Sequence, residues 1–278
     1  MNVLLRSLFI AFGFCAAHAQ EDVSFIAKAD GTEQHYVLVL PEKFDARQPQ
    51  TVLVVLHGHG SDRWQFVKDT RDECRAVRDF AAKHGFLFVA PDYRAKTSWM
   101  GPTAEADVLQ ILEELGKRYP IEKTLFCGGS MGGTAALTFA ALHPARVQGV
   151  VALNGTANLV EFAGFPDALA ASFGGTKAEK PEEYRKRSAE FSAAGLTMPV
   201  ALTTGGKDHV VPPASTLRLA AALKQQGSPV LLLHREEAGH ATSYADTLAA
   251  LDFVIAPSLV PKERPRARPP SALTGLAD

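Results

Sequence analysis

The stretch KTLFCGGSMGG, residues 123–133, decides the fold of this chain. Residues 123–127 form an aliphatic run that predicts a strand, and residues 132–143 are rich in small residues and predict a helix. Ser130 therefore stands at a sharp turn between the two, at the amino end of the helix. Backbone N–H groups and the helix dipole favour negative charge there. Glycines on both sides of the serine allow the strand and the helix to pack closely.

Strand and helix patterns alternate on both sides of this turn. Aliphatic runs predict strands at 36–40, 51–56, 86–90, 123–127, 147–153, 199–204 and 229–234. Helical spacing predicts helices at 64–84, 104–119, 132–143, 215–226 and 242–255. This alternation indicates an α/β fold, a mostly parallel sheet flanked by helices on both faces.

Two polar turns follow later strands. Asp208 comes in GGKD after the strand at 199–204, and His240 comes in AGH after the strand at 229–234. A serine nucleophile needs a base, and the base needs an acid that orients it. The sequence predicts Ser130, His240 and Asp208 in these roles. His209 would lie on the wrong loop for the base, and His234 falls within a strand.

The turn HGHG, residues 57–60, follows the strand at 51–56. With the G-x-S-x-G turn and the order of the three polar residues, the chain resembles the α/β-hydrolase family over residues 36–255. That resemblance implies an oxyanion hole made by the main-chain N–H groups of His59 and Met131. The stretch EYRKRSA, residues 183–189, resembles prolyl-oligopeptidase-type catalytic domains and the small secreted esterases related to them, of feruloyl, acetyl-xylan and polyhydroxyalkanoate type.

The resemblance implies a secreted serine carboxylesterase that cleaves small-molecule or glycan esters, including acetyl and feruloyl esters, through an acyl-enzyme. A prolyl-oligopeptidase-like peptidase is the alternative, disfavoured because those peptidases carry a large β-propeller that no segment here fits. A non-catalytic binding protein of the same fold is a further alternative. Trp99 and Met100 follow the strand at 86–90, and we expect them to form a wall of the substrate site. The mechanism needs no cofactor, and His57 and His59 lack a third ligand for a metal site.

Composition and the ends of the chain set the remaining expectations. The 29 basic and 30 acidic residues balance, so we expect neither nucleic acid nor an anionic membrane as partner. Residues 1–19 have the pattern of a cleaved signal peptide without a membrane anchor, which predicts a secreted or periplasmic protein. Residues 20–256 form the predicted catalytic domain, with a lid-like insertion at 157–198, and residues 257–278 form a Pro/Arg-rich tail expected to be disordered. The oligomeric state and a disulfide between Cys74 and Cys127 are left open.

Overall fold

The computed structural model describes residues 20–256, and the predicted signal peptide and tail lie outside the described residues. Within them, eight strands form one sheet in the order β1-β2-β4-β3-β5-β6-β7-β8. The strands are β1 Gln20–Ile26, β2 Glu33–Val39, β3 Gln50–Leu56, β4 Leu87–Pro91, β5 Ile121–Gly129, β6 Gly149–Leu153, β7 Val200–Gly205 and β8 Val230–Arg235. The β1–β2 and β2–β4 pairs are antiparallel, and every other pair is parallel.

Eight α-helices accompany these strands in the described part of the chain. They are α1 Gln65–Lys68, α2 Asp72–His84, α3 Pro102–Arg118, α4 Met131–Leu142, α5 Pro166–Phe173, α6 Pro181–Lys186, α7 Ala214–Gln225 and α8 Tyr244–Ile255. The helix predicted over 64–84 is two helices, because Asp69 is extended (φ −63°, ψ 140°). The second of them ends at Gly85 in the left-handed conformation (φ 66°), as the sequence predicts.

Apolar side chains on both faces of the central strands build two core layers. Along β3, Val54 belongs to the cluster that includes residues of α3, α4 and α7, while the next residue, Val55, belongs to the cluster with α2 and α8. Successive residues of a strand point to opposite faces, so a continuous aliphatic run fills both layers. The prediction of a mostly parallel sheet flanked by helices is confirmed. The sequence analysis missed β1, an edge strand with mostly exposed or half-buried residues.

The insertion between β6 and β7 contains α5, α6 and the 3₁₀ segment Ala189–Gly195. Arg187, only 1% exposed, ties this segment to the start of α3. Its guanidinium donates to the carbonyl oxygen of Met100 at 2.7 Å and to Glu105 at 2.8 Å, and it also donates to Glu183 at 3.1 Å. A buried cation is stable only when it is paired and hydrogen-bonded, so these contacts hold the insertion against the main sheet.

Cys74 and Cys127 are buried free thiols in the layer packed against α2 and α8. Burial raises the pKa of Cys74 to about 12 and raises the pKa of Cys127 as well. Both therefore act as small apolar core residues. Among residues 20–256, no helix is long and apolar enough to cross a membrane.

Candidate active site

Ser130 occupies a strained turn between β5 and α4. Its backbone has φ 58° and ψ −120°, a region that non-glycine residues rarely adopt. A Cβ at Gly132 would lie 1.9 Å from the carbonyl oxygen of Leu56, and one at Gly128 would lie 2.4 Å from the backbone of Gly132. Only glycine fits where helix and strands approach this closely. The G-x-S-x-G pattern is therefore a packing requirement that holds the serine at the carboxyl end of the sheet.

Asp208 and His240, on the loops after β7 and β8, form a hydrogen-bonded pair. The Nδ1 atom of His240 lies 2.7 Å from Oδ2 of Asp208. The other carboxylate oxygen accepts the N–H groups of Val210 and Val211, each at 2.9 Å. Asp208 is 4% exposed, so its orientation is set by buried hydrogen bonds. With Nδ1 bound to the carboxylate, Nε2 of the imidazole is left as the atom that can exchange a proton with a nucleophile.

The predicted nucleophile and base line the same cleft, which has a volume of about 430 Å³. Among the described residues, Ser130 and His240 form no direct hydrogen bond to each other. Such pairs often shorten only in the complex with substrate. The structure therefore brings together the three predicted residues, with the pair of His240 and Asp208 in hydrogen-bonded contact and Ser130 on the wall beside it.

The HGHG turn lies against the same cleft. Gly58 N–H donates to Oε1 of Gln65 at 2.7 Å, and Gly60 N–H donates to the carbonyl oxygen of Lys96 at 2.7 Å. The donors on either side of His59 are thus engaged within the protein. Met131 is the first residue of α4, and the first N–H groups of a helix have no intrahelical partner. The main-chain N–H groups of His59 and Met131 remain the predicted donors to an oxyanion.

Trp99 and Met100 do not form a wall of the cleft, which corrects the expectation from the sequence. Both side chains are fully buried in the core. The Trp99 Nε1–H donates to Nδ1 of His59 at 3.1 Å, so the indole supports the HGHG turn from behind. Phe165 of the insertion lines the cleft instead, and its ring centroid lies 4.1 Å from that of His59. Burial lowers the pKa of His59, which favours the neutral ring whose Nδ1 can accept this hydrogen bond.

Several residues that the sequence analysis missed complete the cleft. They include Gln65, Phe66, Arg71, Asn154 and Phe165. One of them, Asn154, follows directly after β6, and a polar residue at the carboxyl end of a parallel strand is the signal that could have found it. A second cavity of about 430 Å³ has Val210 as a common wall with the cleft. Within residues 20–256, no cluster of three or more histidine, cysteine or acidic side chains could hold a metal ion.

Comparison with known proteins places this geometry in a family. The model of the prolyl oligopeptidase family matches residues 73–253. The chain belongs to the prolyl oligopeptidase family. It is therefore a serine hydrolase, as the sequence predicts, and the resemblance found in the sequence is confirmed. No curated protein sequence matches the chain.

Solved structures share the fold of this prolyl oligopeptidase family member. The fluorophosphonate-binding serine hydrolase FphF of Staphylococcus aureus has a TM-score of 0.67 at 16% identity, covering 85% of this chain and 98% of its own. A ferulic acid esterase has a TM-score of 0.63 at 16% identity, with coverage of 87% and 98%. The acylaminoacyl peptidase of Pyrococcus horikoshii has a TM-score of 0.64 at 18% identity, covering 86% of this chain and 41% of its own. These similarities confirm the α/β-hydrolase fold.

Proposed function

We propose that this prolyl oligopeptidase family member is a carboxylesterase with Ser130 as nucleophile, His240 as general base and Asp208 as the acid that orients it. One observation carries the proposal. The strained Ser130 and His240 line a single cleft, and the buried carboxylate of Asp208 lies 2.7 Å from the Nδ1 atom of the imidazole. This is the arrangement that acyl transfer requires.

The reaction follows from these groups. Nε2 of His240 takes the proton of the Ser130 hydroxyl as Oγ attacks the ester carbonyl, and Asp208 stabilises the imidazolium. The N–H groups of His59 and Met131 stabilise the oxyanion of the tetrahedral intermediate, each contributing about 10²–10³ in rate. The imidazolium then gives its proton to the leaving alcohol, which departs and leaves an acyl group on Ser130. Water, deprotonated by the same imidazole, releases the acid and restores the serine.

We propose esters rather than peptides as substrates because of the lining of the cleft, in a fold that the chain shares with a ferulic acid esterase over 87% of its length. Aromatic walls at Phe66 and Phe165 suit an apolar or phenolic acyl group. Acetyl and feruloyl esters, including those linked to carbohydrate, are the substrates we would test first.

A peptidase is the second candidate, and one observation favours it. Acylaminoacyl peptidases share the fold over 80–86% of this chain. Esters and amides react through the same acyl-enzyme, so the triad alone does not separate the two. The leaving group separates them, and the assay below includes both.

The test is hydrolysis of a panel of acetyl, feruloyl and longer acyl esters, acetylated and feruloylated glycans, and N-acyl peptides. Ser130→Ala is compared with Ser228→Ala as a matched control. Ser228 precedes β8, so it lies at the amino ends of the parallel strands, whereas Ser130 lies at their carboxyl ends. We expect ester turnover that Ser130→Ala abolishes and Ser228→Ala preserves. Turnover of peptides but not esters would favour the peptidase. If the protein hydrolyses neither esters nor peptides and is not labelled by a fluorophosphonate, it is a non-catalytic protein.

We also propose that the protein is exported, on the basis of the signal-peptide pattern in residues 1–19. Mass spectrometry of the full-length gene product, recovered from a bacterial host, tests this. A mature amino terminus near Gln20 would support export, and a protein that retains Met1 in the cytoplasm would contradict it.

A further inference from the structure

Asn154 lies beside the predicted nucleophile at the carboxyl edge of the sheet. The parallel register pairs Gly129 with Leu153, so the next residues of the two strands, Ser130 and Asn154, follow side by side. Both have positive φ angles, 58° and 51°, and both line the cleft. Asn154 is 5% exposed, so its amide is almost entirely desolvated.

The side-chain oxygen of Asn154 is already engaged. It accepts a hydrogen bond from the hydroxyl of Thr242 at 2.5 Å and a longer one from Thr203 at 3.4 Å. In both contacts the threonine hydroxyl is the donor, so the amide oxygen faces the two threonines. Thr242 follows His240 by two residues, so this contact also fixes the orientation of the asparagine against the loop that carries the base.

The amide nitrogen of Asn154 is buried and has no hydrogen-bond acceptor within residues 20–256. A buried donor without a partner costs free energy, and native proteins rarely retain one without a reason. Asn154 is one of the residues that line the cleft beside Ser130, so we expect a bound substrate to supply the acceptor.

We propose that Nδ2 of Asn154 donates a hydrogen bond to an oxygen of the substrate other than the reacting carbonyl. This inference rests on the proposed esterase function and narrows its substrate class to esters that carry an ether or hydroxyl oxygen near the scissile bond, as sugar esters and hydroxy-acid esters do. A site built to pair a polar group discriminates strongly against analogues that lack it, because its own donor is then left unpaired.

The test compares esters that are matched in shape. On the acyl side, p-nitrophenyl methoxyacetate and p-nitrophenyl butyrate differ only in an oxygen that replaces a methylene. On the alcohol side, 2-methoxyethyl butyrate and n-butyl butyrate differ in the same way. Asn154→Asp keeps an oxygen for Thr242 but removes the donor, and Asn154→Leu removes both. In both Asn154 variants we expect kcat/KM to fall relative to the wild-type protein. For at least one pair of esters, the fall should be about tenfold larger for the oxygen-bearing ester than for its partner.

Thr242→Val is the matched control for positioning, since it removes the hydroxyl that holds Asn154 and keeps the shape of the side chain. It should lower kcat for both members of a pair equally. Equal losses for both members of both pairs in the Asn154 variants would overturn the inference while leaving the esterase proposal intact. A wild-type protein that hydrolyses no ester would overturn the esterase proposal itself.

A measurement on the wild-type protein covers the case in which the Asn154 variants do not fold. Methoxyacetamide and butyramide are compared as competitive inhibitors of ester hydrolysis, together with 2-methoxyethanol and n-butanol for the alcohol side. Tighter binding of the oxygen-bearing member, by several-fold in one pair, supports the inference. Equal inhibition in both pairs overturns it.

Discussion

Replacing Gly132 by alanine tests whether close packing holds the nucleophile turn in place. The added Cβ would lie 1.9 Å from the carbonyl oxygen of Leu56 and 2.8 Å from that of His57. Both neighbours are backbone atoms at the end of a central strand and cannot rotate away. Relief of the clash requires α4 and β3 to separate by about 1 Å. An extra methyl group in a well-packed core typically costs about 1–3 kcal/mol of stability, and a separation of this size places Gly132→Ala at the upper end of that range.

We therefore expect Gly132→Ala to lower the free energy of unfolding by about 3 kcal/mol. In a domain of this size that corresponds to a fall in melting temperature of roughly 6–12 °C. Because the same shift moves Ser130 relative to the oxyanion donors, kcat/KM for an acetyl ester should fall about 10²-fold. Urea unfolding, thermal melting and steady-state hydrolysis measure the three quantities.

Gly116→Ala is the matched control. Gly116 is an exposed glycine inside α3, and a Cβ there would meet no atom within 4 Å. The substitution should leave activity unchanged and stabilise the protein by up to about 1 kcal/mol, because alanine favours the helix. If Gly132→Ala proved as stable and as active as Gly116→Ala, the argument that packing imposes glycine at this turn would be refuted.

Three further predictions follow from the site and its supports. Asp208→Asn should lower kcat for esters about 10⁴-fold with little change in KM, because an amide in place of the carboxylate favours the wrong tautomer of His240; an activity loss below tenfold would contradict this. Trp99→Phe removes the 3.1 Å hydrogen bond to His59 and should cost about 1 kcal/mol of stability in urea unfolding, whereas an unchanged value would show that the bond does not support the turn. Burial raises the pKa of Asp107 to about 6, although the neighbouring Arg94 acts in the opposite direction. The folded state therefore binds more protons than the unfolded state between about pH 4 and 6. As a result, Asp107 makes the folded state less stable as the pH rises through that window. The change in the free energy of unfolding caused by Asp107→Asn, measured by urea unfolding, should therefore be more favourable at pH 7.5 than at pH 4.5 by on the order of 2 kcal/mol. A change that is the same at both pH values would contradict a raised pKa of Asp107.

The turn around Ser130 could be predicted because its requirements are local. A strand, two glycines, a serine and a helix follow one another within a few residues, and the clash at Gly132 explains why that order cannot be varied freely. The positions of Asp208 and His240 could be predicted because both follow strands of one parallel sheet, whose carboxyl ends meet at one edge. Their 2.7 Å contact is a property of the folded chain.

The wall of the cleft could not be predicted in the same way. Trp99 follows a strand, as a site residue should, but the insertion packs over it, and its buried indole contacts both His59 of the HGHG turn and Phe165. The hydrogen bonds of Arg187 to Met100 and Glu105 span more than eighty residues of sequence. The hydrophobic periodicity of either segment gives no indication of such a long-range contact.

The sequence by itself determined the alternation of strands and helices, the sharp turn at Ser130 and the order of the three polar residues. Tertiary structure alone decided that Phe165 rather than Trp99 faces the cleft and that the amide nitrogen of Asn154 is left without a protein partner beside the nucleophile. The physical reason is the range of the forces involved. Backbone sterics and hydrophobic periodicity act over a few residues and can be read along the chain, whereas burial and hydrogen bonding depend on which distant segments pack together.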